Sequence, residues 1–476
     1  MASTWPNTAG AAALARSYRA DQADPREVVE EHIARIDTWN PTLNAVVAHR
    51  FERARAEAEA AAAALREPGP HPPLLGVPVT IKEFLRVEGM PNTAGLAVRR
   101  GTIADDDAVT VARLRAAGAI VLGVTNGPEG GLWAETTNKV YGRTNNPWDP
   151  THTCGGSSGG EAAILAVGGA ALGLGSDIGG SVRIPAGWSG ICAHKPTGRL
   201  VPTHGHTPAN PSPYLCVGPM APRVADLALA LPILAGPHPD DPTAVAMPLG
   251  DPAAIRPDQL TVLLPEEPLR QSTADVVAAT EAAATALADA GATVERVSLP
   301  PLAHAFNIWL SAMATAGFPS YAEVLGDGEP APILSELVQA LVGGGRHTIP
   351  PLLVSLTETL SARLPLVDKQ AHLARRDQLA AELDQRLGPQ TALLVPTTPR
   401  AAPRHNGLLL HFSSTGLCGV FNVLELPSTQ VPAGTSGGLP VGVQLVGGKG
   451  MDHVCLAAAS VVEAATGGWR PPERPS

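Results

Sequence analysis

Residues 154–199 read CGGSSGGEAAILAVGGAALGLGSDIGGSVRIPAGWSGICAHKPTGR, and more can be inferred from them than from any other part of the chain. Glycines crowd the first half, interspersed with Ser157, Ser158, Ser176 and Ser181. Close packing of helices on strands is one explanation for so many residues without a Cβ. A phosphate-cradling loop is another, but it needs GxxxxGK[ST] or GxGxxG after a strand, and neither pattern occurs. The run from Gly155 to Gly159 matches the GxSxG nucleophile elbow. That elbow follows directly on a strand, whereas residues 146–153 are turn formers, so the match reads as accidental. The fourth reading is acyl transfer at Ser181. Gly179 and Gly180 precede it at an expected helix N-terminus, where unobstructed N–H groups can converge as an oxyanion hole.

Outward from this stretch, helical and extended patterns alternate. Residues 161–172 make a short apolar helix and 172–176 a short strand. Upstream, Gly76-Val-Pro-Val-Thr-Ile81 is a buried strand that delivers Lys82 at its end. Residues 107–117 form a helix stopped by Gly118, and 119–124 a second buried strand. Nearer the N-terminus, Pro25 opens a helix over 26–38 that Asn40-Pro41 ends, and an Ala-rich helix covers 50–66. Residues 235–258 are a proline-rich connection. Strands follow at 262–265 and 293–297 around a helix at 272–291, then a mostly helical region at 301–385 broken by Pro350-Pro351. Late strands fall at 393–396 and 441–445. Alternation of this kind means an α/β architecture. With no internal repeat and no break in composition, it forms one domain.

Composition narrows the function classes. The 476 residues carry 34 Lys plus Arg against 44 Asp plus Glu, a net charge of −10. Only 16% are charged, which argues against nucleic acid as the main partner. A 44% hydrophobic content and a mean hydropathy of +0.07 exclude a mostly disordered chain. Cys154, Cys192, Cys216, Cys418 and Cys455 are dispersed without a CxxC pair, so neither a disulfide framework nor a zinc ribbon is expected. Residues 1–16 lack a secretory pattern and no window reads as a membrane span, which makes a cytoplasmic location the expectation.

A serine hydroxyl attacks only when a base takes its proton. No histidine pairs with the serines by position, but a lysine desolvated at the end of a buried strand can serve, because burial favours the neutral amine. At this point a family resemblance is plain. GGSSGGEAA, DIGGSVRIPA and GICAHKPTGR resemble the amidase signature family, with GVPVTIKE as its upstream lysine strand. Ser157 and Ser181 stand 24 residues apart, the family's spacing between its two catalytic serines. Similarity continues through Gly123-Val-Thr-Asn126 and Val140-Tyr-Gly-Arg-Thr-Asn-Asn-Pro147. It extends to Phe421-Asn-Val-Leu-Glu-Leu-Pro427, Gly438-Leu-Pro-Val-Gly-Val-Gln444 and Gly467-Gly468-Trp469, and is weakest over about 235–390. The Val140–Pro147 run, His194-Lys-Pro-Thr197 and the late Gly-Gly-Trp are closest to the fatty-acid amide hydrolase type 2-like branch. No hydrophobic anchor precedes residue 10, so membrane delivery of lipid is not expected.

The resemblance implies an α/β fold: a single large domain over 1–476 with a mixed twisted central sheet covered by helices. Residues 1–75 would form an N-terminal helical layer, 76–234 the signature core, and 301–385 a variable helical region lining the pocket. It implies Ser181 as nucleophile, Lys82 as general base and Ser157 as the proton relay. The N–H groups of Ile178, Gly179, Gly180 and Ser181 would hold the oxyanion, and Gly131 and Trp133 would line the acyl pocket. No cofactor and no metal are implied. The partner would be a small-molecule amide, and a homodimer is compatible with the family.

Other residues carry weaker signals. Lys195 is a rival base that reads as a turn residue beside Pro196. His204-Gly-His206 resembles a metal pair without the further ligands a zinc site needs. Ser158 reads as a helix cap, and Asp177 and Arg183 as residues that orient the loop. Phe306, Trp309, Phe318 and Tyr321 put 4 of 17 aromatics within 16 residues. They form either ordinary helix packing or the wall of an apolar acyl channel. Two alternatives to hydrolysis stand. One is an amide-forming acyltransferase of secondary metabolism. The other is an amidotransferase A-type subunit, disfavoured because Gly127-Pro-Glu-Gly130 replaces that subgroup's Met-Asp-Glu-Phe after Thr-Asn.

Overall fold

Short β-branched and apolar runs assemble into an eleven-stranded sheet in the computed structural model, which describes residues 10–209, 212–363 and 368–473. Across the sheet the strands run Val46–His49, Ile120–Thr125, Pro78–Lys82, Leu172–Asp177, Cys216–Ala221, Cys192–Lys195, Ser428–Ser436, Leu439–Gly447, Thr391–Pro396, Thr261–Pro265 and Thr293–Val297. The sheet is mixed. Pro78–Lys82 lies parallel to both of its neighbours, a central block from Leu172–Asp177 to Thr391–Pro396 is antiparallel, and the last three strands are again parallel. Helices flank the sheet, so its inner strands are buried on both faces and read as continuous apolar runs. The result is a single α/β domain.

Register decides which ends meet. Ile81 pairs with Leu174, so the parallel strands bring Lys82 and Ser176 to the same edge of the sheet. The turns that continue from this edge carry the serines.

Two stop signals act differently from the sequence expectation. The first helix expected at 26–38 runs Pro25–Leu43 with Pro41 inside its last turn. Asn40 ends it from within: its Oδ1 accepts from the Ala45 and Val46 N–H groups, and its carbonyl accepts from Asn44. Pro350 and Pro351 do not break a helix but begin one, Ile349–Arg363, where the missing N–H groups have no intrahelical partner to lose. Four strands of this sheet were not foreseen, Val46–His49, Cys192–Lys195, Cys216–Ala221 and Ser428–Ser436, and neither was a separate two-stranded hairpin of Thr137–Asn138 and Gly142–Arg143. All five cysteines are free and buried. Among the described residues no helix is long and apolar enough to cross a membrane.

Candidate active site

Lys82 ends its strand fully buried. Its Nζ lies 2.6 Å from Ser157 Oγ, 3.0 Å from Ser176 Oγ and 4.3 Å from the centroid of the Phe84 ring. Burial lowers the amine to about 7, against the opposing pull of the negative charges on Asp177 and Glu161. Glu161, on the helix Gly159–Ala166, accepts from Thr80 Oγ1 and from Thr125 Oγ1 at 2.7 Å. Burial pushes its carboxyl up to about 7, although both hydroxyls and Lys82 favour the anion.

Ser157 follows a cis peptide from Gly156 and lies two residues before that helix. Gly155, at φ +86°, makes the approach possible: a Cβ there would meet Pro185 Cα at 2.8 Å. No strand leads into Ser157, as the sequence suggested. Ser158 occupies the N-cap position but caps nothing with its side chain. Its Oγ instead accepts from the Ser176 N–H and donates to the Ser176 carbonyl, both at 3.3 Å.

The loop into Ser181 is held by a buried ion pair. Asp177 accepts from Gly180 N at 2.7 Å and Val182 N at 3.1 Å, and from Arg183 Nε and Nη2 at 3.0 and 3.1 Å. Arg183 also donates to Gln444 Oε1 at 2.9 Å and to Asn422 Oδ1 at 2.7 Å. Burial pushes the Asp177 carboxyl up, but the charge and hydrogen bonds of Arg183, the charge of Lys195 and the Gly180 N–H together hold it below its ordinary range. Of the four amides that sequence assigned to an oxyanion hole, that of Gly180 is already engaged by Asp177. Trp309 Nε1 donates to the Ile178 carbonyl at 3.0 Å. In a trans peptide the next N–H points the opposite way, so this bond fixes the direction of the Gly179 amide.

Ser157, Ser176, Ile178, Gly179 and Ser181 share one cavity of about 150 Å³. Gly131 and Trp133 line it too, and Trp133 stacks on Phe412 with centroids 4.7 Å apart. Of the aromatic run, Trp309, Phe318 and Tyr321 face this cavity with Met313, whereas Phe306 lines a different groove and Ile308 belongs to the core. Among the described residues lining the cavity, Glu358 is the one carboxylate, and none is Lys or Arg.

His206 forms part of the same wall. Its Nε2 lies 2.9 Å from Ser176 Oγ and its Nδ1 2.8 Å from the Pro208 carbonyl. Burial lowers the imidazole to about 4, and the charge of Lys82 acts in the same direction. Its sequence partner His204 is exposed, and its Nε2 lies 3.4 Å from Arg86. No group of three or more His, Cys, Asp or Glu among the described residues could hold a metal ion. Lys195 is not a turn residue: it ends a buried strand and donates to the Pro196 carbonyl at 2.8 Å. Sequence reasoning missed Ser176, Glu161, Asn422, Gln444 and Glu358, and read His206 only as half of an incomplete metal pair.

The Amidase family profile matches residues 27–456. The fatty-acid amide hydrolase 2-A of Danio rerio is 37% identical over 486 aligned residues, covering 96% of this chain and 89% of that protein. The A-type subunit of the glutamyl-tRNA(Gln) amidotransferase of Thermus thermophilus is 35% identical over 460 residues, 94% of each chain. A bacterial aryl acylamidase of the amidase signature enzymes superposes with a TM-score of 0.77 at 26% identity, covering 96% of both chains.

Proposed function

The chain belongs to the amidase family and is an amide-hydrolysing enzyme, and from that premise we propose that it works through a serine acyl-enzyme formed by Ser181, Ser157 and Lys82. The observation that carries this reading is the fully buried Lys82 amine 2.6 Å from Ser157 Oγ. Neutral Lys82 accepts the Ser157 proton as Ser157 accepts that of Ser181. The freed Ser181 Oγ then attacks the amide carbon, and the N–H groups of Ile178, Gly179 and Ser181 receive the developing oxyanion. Gly180 contributes its conformation: at φ +112° it carries no Cβ, which would meet Cys418 Cβ at 2.5 Å. Collapse breaks the C–N bond, and the amine leaves with the proton returned through Ser157. Water then attacks the acyl-enzyme by the same relay and releases the acid.

The acyl group would be apolar or aromatic. Trp133, Trp309, Phe318 and Phe412 supply the wall, while Glu358 repels an anionic tail. The similarity to an amidotransferase component supports a second reading, with glutamine as the amide. Glutamine carries an α-carboxylate, for which the lining supplies no Lys or Arg among the described residues, so the apolar amide is the better fit.

Fluorophosphonate labelling with peptide mapping tests the nucleophile. The adduct is expected on Ser181; an adduct on Ser157 or Ser158 would overturn the assignment. Glutaminase activity matching that on apolar amides would favour the second reading.

A further inference from the structure

The hydroxyl of Ser176 sits between Lys82 and His206, and its orientation determines whether Lys82 can act as a base. A neutral amine has one lone pair, and in the proposed relay that lone pair must face Ser157. Ser176 Oγ, 3.0 Å from Nζ, can interact with the amine in two ways. It can accept an N–H from the lysine, leaving the lone pair free, or donate its own O–H to the lone pair and occupy it.

His206 removes the second option. The Pro208 carbonyl, 2.8 Å from Nδ1, can only accept, so the proton of a neutral imidazole is on Nδ1. Nε2 is then bare and must accept, and its partner at 2.9 Å is Ser176 Oγ. The Ser176 proton therefore points to His206, and its lone pairs point to Lys82. The Ser176 backbone cannot drift, because Ser158 Oγ engages both its N–H and its carbonyl.

Resting on the Ser181–Ser157–Lys82 reading, we propose that His206 is a positioning residue: as a neutral acceptor it orients the Ser176 hydroxyl and thereby keeps the Lys82 lone pair directed at Ser157. Burial, which holds the imidazole near 4, keeps it neutral at working pH. An imidazolium would donate from Nε2 and release the Ser176 hydroxyl toward the amine. The groups facing this relay are Glu161 and Asp177 on the lysine side and the Phe84 ring, which stands edge-on to His206 at 6.0 Å.

The test is a double-mutant cycle on the purified enzyme, with His206→Leu, His206→Gln, Ser176→Ala and His206→Leu/Ser176→Ala. The readouts are kcat, KM and the rate of fluorophosphonate labelling. His206→Leu should lower kcat and the labelling rate by roughly 10- to 100-fold with little change in KM. His206→Gln, whose amide oxygen also accepts, should recover most of that loss. The double variant should be no slower than Ser176→Ala, because His206 then has no hydroxyl to orient. Additive losses in the cycle, or His206→Gln as slow as His206→Leu with an unchanged melting temperature, would overturn the proposal. Lys82→Ala separates the two levels: if it still labels at the wild-type rate, the triad reading itself fails. If it is silent while His206→Leu is as fast as wild type, only the role of His206 falls.

Discussion

The sheet edge around Lys82 and the helical wall over 305–358 face the same cavity but are built by opposite means. At the sheet edge, Lys82, Ser157, Ser176, Asp177 and Arg183 are all buried, and each of them is tied to a neighbour by hydrogen bonds. The wall is made of apolar side chains on short helices. A helix outside the lining, Ile333–Leu341, packs Ile333 and Leu337 inward while leaving Leu334, Val338 and Leu341 exposed. A polar network in a low-dielectric setting tolerates no partial loss, whereas an apolar wall changes by increments. On the proposed reading, the edge would govern whether an amide is cleaved, and the wall which one.

The largest effect should follow removal of the buried amine. Lys82→Ala is expected to lower kcat by several orders of magnitude on every amide tested, as for any member of a coupled catalytic unit. Steady-state kinetics on two amides of different acyl size would check this. A loss confined to one of them would erase the division between edge and wall.

Breaking the ion pair beneath the Ser181 loop comes next. Arg183→Met leaves Asp177 buried without its counter-charge, which typically costs about 3–5 kcal/mol. A fall in unfolding free energy of that order, read from the denaturation midpoint, is expected, with loss of turnover from a misplaced Ser181. If stability held and only KM rose, Arg183 would belong to substrate binding instead.

The edge should also set the pH profile. Lys82 is a base only when neutral, and its amine is lowered to about 7. The rate should therefore rise with pH, about tenfold per unit below that point, and level off above it. Glu161 is raised into the same range, so the observed midpoint belongs to the pair. The kcat/KM of a neutral amide across pH 5 to 9 is the measurement. A midpoint near 10 would mean that the amine is not desolvated.

The two regions also differ in how much of them sequence discloses. The strand ending in Lys82 is legible because a β-branched run terminates in a single charge, and the serine loop because its glycines are tightly spaced. Neither signal depends on distant residues. The supports of that loop lie far along the chain: Asn422 and Gln444 reach Arg183 across 239 and 261 positions. Ser176 and His206 become partners only through the fold, and the HGH run by itself suggested metal. Two of the unforeseen strands of the large sheet contain Gly and Pro turn formers. Cys216–Ala221 includes Gly218 and Pro219, and Ser428–Ser436 absorbs Pro432 and Gly434 at a bulge. In the wall, residues 301–385 read as mostly helical without separate helix bounds, and nothing in the pattern says which aromatic faces the cavity, so Phe306 was grouped with Trp309 although the two line different spaces.

The smallest effects belong to the wall, and they test its selectivity most directly. Each methylene buried against Trp133, Met313, Phe318 and Phe412 is worth about 0.8 kcal/mol, roughly fourfold in kcat/KM while the cavity still has room. p-Nitroanilides of growing acyl length should climb in such steps and then plateau, with arylalkyl amides ahead of acetamide derivatives. Glu358 adds a sign to this ladder. One of its oxygens accepts from the Tyr321 N–H at 2.8 Å, and burial raises its carboxyl above the ordinary range. The negative charge it carries once ionised, among apolar side chains, should penalise an acyl chain ending in carboxylate relative to its methyl counterpart. Glu358→Gln keeps an acceptor for Tyr321 and removes the charge. It should therefore narrow that gap by a few-fold at neutral pH, leave the ladder of neutral chains intact, and leave kcat on short amides unchanged. A flat ladder in the wild type would remove the apolar wall from the account of specificity. A ladder that survives with an unaltered carboxylate gap would remove Glu358 alone.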